Sequence, residues 1–176
     1  MKPKFYMNKG FTIPELLIAL LVFSLVIGGA ANLLVSGIGG QRSALAMQEL
    51  LNQTSFGSEY MSRRLRQATK DLGPTCLSTR GLNYEITQGG QGVKFLNLQS
   101  QCHEFFLEAG RIKERIAGQE QSLTSDNLTV TSLQFLLQGE SQNDDVQPKV
   151  TFAFEVEGQG ASAESKPKVQ FQTTVS

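Results

Sequence analysis

Histidine is almost missing from this chain: His103 is the single one, and it directly follows Cys102. In an extended segment neighbouring side chains point to opposite faces, so these two do not make a nucleophile pair, which needs both groups within hydrogen-bond reach. Cysteine is as scarce. Cys76 and Cys102 are the whole supply, too few to hold zinc by themselves; they suit an oxidising compartment, where a disulfide between them is the expectation and two buried thiols the alternative. No glycine-rich phosphate loop, zinc-ligand spacing or serine-hydrolase elbow occurs in the sequence. These absences leave no catalytic set, no metal site and no cofactor motif, and the expectation is a protein that is not an enzyme. Net charge is also absent, with 16 basic against 16 acidic side chains. Neither an internal repeat nor a domain linker interrupts the chain.

What the sequence does have is one long apolar run near its start, Leu16 to Val35, within the stretch "NKGFTIPELLIALLVFSLVIGGAANLLV" from Asn8 to Val35. Between Leu16 and Val35 there is no charge, and only Ser24 and Asn32 are polar, which matches the roughly 20 residues a helix needs to cross a bilayer. Lys2, Lys4 and Lys9 precede the run. Basic flanks stay cytoplasmic, so the remainder is expected to be an exported head on a single-pass inner or cytoplasmic membrane anchor. Without those lysines the exported part is mildly acidic, which argues against a nucleic-acid partner.

Glu15 is the anomaly. An ionised side chain within a membrane span costs about 2.5–3.5 kcal/mol even on insertion scales, so it calls for a partner. A cleaved secretory signal could end at Ala44-Leu45-Ala46, but the apolar run is too long for one, the cut falls far from its end, and Glu15 is left unexplained. A plain uncleaved anchor gives no reason for the Gly-Phe-Thr-x-x-Glu pattern.

The stretch "KGFTIPELLIALLVFSLV" resembles the amino-terminal signature of type IV pilin-like proteins, which include type IV pilins and pseudopilins. The resemblance implies that a prepilin peptidase cuts between Gly10 and Phe11 and methylates the new Phe11 amine, leaving Glu15 as the fifth mature residue. Glycine leaves the scissile bond unshielded. In low dielectric the methylated ammonium and the Glu15 carboxylate attract, and each relieves the other's burial. The amine is implied to belong to a neighbouring subunit; the chain's own amine, four residues earlier, is the alternative. Pro14 departs from the usual aliphatic residue, but in a first helical turn it loses no hydrogen bond. The implied partners are other pilins or pseudopilins, the prepilin peptidase, an inner-membrane assembly platform and the lipid bilayer. The implied role is a minor structural subunit of an extracytoplasmic filament. The competing role is a membrane-anchored extracellular binding module or adhesin that never polymerises.

Beyond the apolar run, Met47, Leu50, Thr54, Gly57, Met61, Leu65, Ala68 and Leu72 recur at steps of three or four, the stripe of an amphipathic helix. The pattern predicts one helix from about Thr12 to Leu72, stopped by Gly73-Pro74. Gly28-Gly29, Gly37 and Gly39-Gly40 are its weak places, serving either close helix packing or local loosening. The expected division is a leader over 1–10, a transmembrane or filament-core helix over 11–38, an amphipathic half over 39–73, and a β-rich head over 74–176.

Strands are expected at Leu82 to Ile86 and Val93 to Leu98, with a pair turning at Ala109-Gly110. Clear alternation follows in Leu133, Phe135, Leu137, then Val150, Phe152, Phe154, Val156, then Val169, Phe171, Thr173, Val175. Leu128 and Val130 are out of phase with Leu133, which predicts a bulge near Thr131-Ser132. The fold class is α+β, a long helix on an antiparallel sheet, as the pilin resemblance implies independently. "SLTSDNLTVTSLQFLL", "PKVTFAFEVEG" and "FQTTVS" are similar to the heads of minor pseudopilins of the J type and related minor pilins.

Two polar clusters remain. Asp144-Asp145, with Asn143 and Glu140, could lend oxygens to calcium, but a calcium site wants six to eight and no loop pattern supplies them; a solvated turn is the expectation. "RRLRQATK" is expected to set Arg63, Arg66 and Lys70 near one helix face, as its wet side rather than as a phosphate track.

Overall fold

The computed structural model describes residues 10–140, 146–158 and 166–176. The chain divides into two units, Met1–Arg42 and Ser43–Ser176. One helix, α1 (Ile13–Leu65), runs through both. In the first unit every described residue is exposed, the apolar side chains from Leu16 to Val35 included.

In the second unit α1 buries one stripe, Leu50, Thr54, Gly57, Ser58, Met61 and Leu65. It stops at Leu65, seven residues short of the expected Leu72. The apolar spacing continues past Leu65, but the backbone finds other partners there. Gln67 N–H bonds to Arg64 O (3.0 Å) and Ala68 N–H to Leu65 O (3.0 Å), tightening the last turn. The Tyr84 hydroxyl caps the Leu65 carbonyl at 2.9 Å, and Thr69 leaves the helix to bridge Leu96. Leu72 is 64% exposed, so it is no part of the stripe.

The head holds two antiparallel sheets rather than one. The first is a meander of five strands in chain order: β1 (Tyr84–Thr87), β2 (Gly92–Leu96), β3 (Cys102–Glu108), β4 (Arg111–Ile116) and β5 (Gln119–Ser122). The second is β6 (Thr129–Gln138), β7 (Lys149–Glu157) and β8 (Lys168–Val175). The expected turn is at Ala109-Gly110, with φ of +51° and +71°, and a second at Ala117-Gly118 repeats it at +48° and +86°. Two successive left-handed residues make the tight turn that suits the twist of a hairpin. The bulge predicted near Thr131-Ser132 lies between Val130 and Ser132 in the β6–β7 register.

A single core joins the three layers. Leu50, Met61 and Leu65 of α1 meet Phe95, Phe105 and Ile112 of the first sheet and Leu133, Phe135, Val150, Phe152, Phe154 and Val156 of the second. The first sheet's outer face carries a row of alternating charge across all its strands: Glu85 pairs with Lys94, Lys94 with Glu104, Glu104 with Arg115, and Arg115 with Glu120. Opposite charges directly across strands favour this register over a slipped one.

Candidate functional site

The amino-terminal features share a few residues of chain. Gly10 and the 79% exposed Phe11 precede the helix. The Thr12 carbonyl accepts the first helical bond, from Leu16 N–H at 3.1 Å, so Pro14 falls where an N–H would have no helical partner. Glu15 is the acidic residue of the first turn, where the helix dipole favours negative charge. It is exposed and, among the described residues, has no side-chain partner. Phe11 lies just before the helix and Glu15 in its first turn. Just beyond Glu15 the apolar surface begins, with Leu16 54%, Leu25 70% and Val35 69% exposed. By length and composition α1 is able to cross a membrane. Glu15 therefore lies at the edge of a long exposed apolar surface.

Residues 6–31 match the family described as the prokaryotic N-terminal methylation motif. The chain carries a prepilin-type amino terminus. No curated protein and no solved structure matches it further. The prepilin-type segment contains Gly10, Phe11 and Glu15 together with all but the last four residues of the uncharged run Leu16 to Val35, and it opens a pilin-like α+β architecture, one long helix followed by antiparallel sheets.

In the head, Cys76 and Cys102 are bridged, with Cα atoms 5.1 Å apart. His103 is wholly buried and stacked on Phe95, ring centroids 4.6 Å apart. Its Nε2 lies 2.5 Å from Glu114 Oε1, an ion-pair distance that lacks the alignment of a hydrogen bond, and its Nδ1 has no partner among the described residues. Glu114 also accepts the Tyr60 hydroxyl (2.9 and 3.0 Å) and the Gln121 amide (2.5 Å). Burial works to raise its carboxyl, but His103, Gln121 and Tyr60 outweigh that and hold it below the ordinary range. Cys102 is spent in the disulfide and His103 is sealed from solvent, so the two form no reactive pair. Instead the cluster ties α1 to β3, β4 and β5. Its signal was legible: in "RIKERI" Glu114 falls in phase with Ile112 and Ile116, on the inward face.

The basic segment differs from expectation. Arg66 closes the last helical turn, its N–H on Ser62 O at 3.1 Å, but Lys70 lies beyond the end of α1, so the three do not line one helix face. Arg63 pairs with Glu59 at 2.8 Å, while Arg64 donates to the Tyr60 hydroxyl at 3.1 Å and lies over its ring. Asn143, Asp144 and Asp145 lie outside the described residues. Glu140 is half-buried, and that burial pushes its carboxyl up, partly offset by a backbone bond from Tyr84. Sequence reasoning missed Asp71, whose carboxylate organises the loop that carries Cys76.

Proposed function

We propose that this chain is a minor subunit of a type IV pilus or of a type II secretion-like pseudopilus. It sits in the inner or cytoplasmic membrane through α1 before assembly and packs through the same helix afterwards. A prepilin peptidase removes residues 1–10 and methylates the Phe11 amine. The observation that supports this reading is the match over residues 6–31, which joins the Gly10-Phe11 junction to Glu15 and to an apolar helix that the chain itself leaves uncovered.

The mechanism follows from electrostatics in a medium of low dielectric. Cleavage turns the Phe11 amide into an ammonium, and methylation keeps the charge. When the subunit enters the filament, its Glu15 carboxylate meets the amine of a neighbour, and two charges that are each costly in an apolar core neutralise one another. Mismatched axial positions leave both unpaired, so the pair selects register. Leu16 to Val35 supply the packing surface, and the sheets of the head present contacts to other pilins and to the assembly platform.

Glu15→Ala tests this reading in cells that make the rest of the filament. Incorporation, measured by immunoblotting sheared filaments, is expected to fall at least tenfold while membrane levels hold. Unchanged incorporation overturns it. If the protein is absent from wild-type filaments altogether and its surface exposure is indifferent to the substitution, the chain is a membrane-anchored binding module or adhesin instead.

A further inference from the structure

The loop between α1 and β1 is built around one acid. Asp71 is 1% exposed, and its carboxylate collects four backbone N–H groups: Gly73 (3.2 Å) and Thr75 (3.2 Å) on Oδ1, Cys76 (2.8 Å) and Leu77 (2.9 Å) on Oδ2. Asp71 is itself anchored, donating its N–H to Leu82 O at 2.9 Å and accepting Gly81 N–H at 2.7 Å. Two residues earlier, Thr69 N–H donates to Leu96 O at 2.8 Å. Leu96 is the β2 residue paired with Cys102 at the start of β3. The carboxylate cage therefore fixes the Cys76 backbone, strand pairing fixes Cys102, and neither constraint uses the sulfur–sulfur bond.

We propose that Asp71 is a positioning residue for oxidation of the Cys76–Cys102 pair. The cage holds the reduced loop in its bridged conformation, so the two thiols are neighbours before the bond forms. In that step each thiol gives up its proton and the pair gives up two electrons. The Cys76–Cys102 bond forms, while an external disulfide accepts the electrons and leaves as two thiols. The cysteines are 26 residues apart, and closing such a loop costs chain entropy; non-covalent contacts meet much of that cost before oxidation, which is preorganisation applied to a covalent step. The proposal does not depend on filament assembly.

The test is the thiol–disulfide equilibrium of the full-length chain in detergent micelles, poised with reduced and oxidised glutathione and read by alkylation and mass spectrometry. Asp71→Ala is expected to lower the equilibrium constant for the bridge about tenfold, equivalent to about 30 mV. Asp71→Asn, which keeps one acceptor oxygen, falls between it and the wild type. Phe152→Leu, a core change in the second sheet, lowers thermal stability and leaves the constant where it was, because the reduced head stays folded. An unchanged constant in both Asp71 variants overturns the proposal. So does a shift in Phe152→Leu as large as in Asp71→Asn, since the cage would then act only through global folding. Should Asp71→Ala fail to accumulate, the comparison of Asp71→Asn with Phe152→Leu decides alone.

Discussion

Glu15 and Asp71 are both acids, and they differ in who supplies their partners. At Asp71 the donors are the chain's own amides. Leu77 N–H contributes most, desolvation opposes it, and Cys76, Thr75 and Gly73 bring the carboxyl down to about 2. An unfolded Asp titrates near 3.9, so the folded value is depressed. The linked stability is then fully present above about pH 4 and is lost as pH falls through about 2. Replacing Asp71 by Ala leaves four amide donors without their acceptor, at an expected cost of about 2–3 kcal/mol near pH 7. Chemical denaturation as a function of pH should show the two proteins converging towards pH 2; a difference that stays constant into acid would exclude a carboxylate cage. Nothing in "TKDLGPTC" marked this residue, because an acid before Leu-Gly-Pro reads as the polar end of a helix. The bonds that define its role come from amides, and every residue type except proline has one.

At the level of elements, periodicity was readable where one face of a strand is buried and the other is wet. β6, β7 and β8 alternate in sequence, and β7 alternates in burial along its whole length. β5 is "QEQS", exposed at every position, and a strand without an apolar side has no signal. The end of α1 was misplaced because the sequence keeps its helical spacing while Tyr84 and Leu96 capture the backbone. Within α1, Gly57 is buried, yet a methyl group added there meets nothing within 4 Å. Gly57→Ala should stabilise the head by about 1 kcal/mol through helix propensity, read as a raised midpoint in urea; a lowered midpoint would mean that the glycine allows a closer approach than the contacts indicate. In the charge row, the Glu104 side chain is only 8% exposed and pairs with Arg115, which also holds Glu120 at 2.6 Å and lies 4.5 Å over the Phe106 ring. Arg115→Met takes away the ion pair of that acid, leaving it the Thr87 hydroxyl at 2.7 Å, and should cost about 1–3 kcal/mol. Adding Glu104→Met should recover much of the loss, so a double-mutant cycle with no coupling would remove the row as a source of register.

At the scale of the whole molecule, function divides between the chain's two units. The first holds an apolar helix with an acid at its head, and each of its described residues is exposed. The second is a core of its own in which buried carboxylates find hydrogen-bond donors within the chain, Glu114 and Asp71 among them. The amino-terminal motif was legible because its pattern is local: a glycine, an aromatic residue and an acid at fixed spacing before an uncharged span. The polar clusters of the head were not, because Tyr60 and Glu114 are 54 residues apart and only the fold brings them together. The account rests on one covalent event, the conversion of the Phe11 amide into a charged amine that Glu15 can meet. Intact-mass and amino-terminal peptide mass spectrometry of the protein from its native membrane tests that event directly. The result predicted is a mature chain beginning at a singly methylated Phe11. A chain that keeps Met1, or one that begins at Met47 after an ordinary signal cleavage, would contradict it.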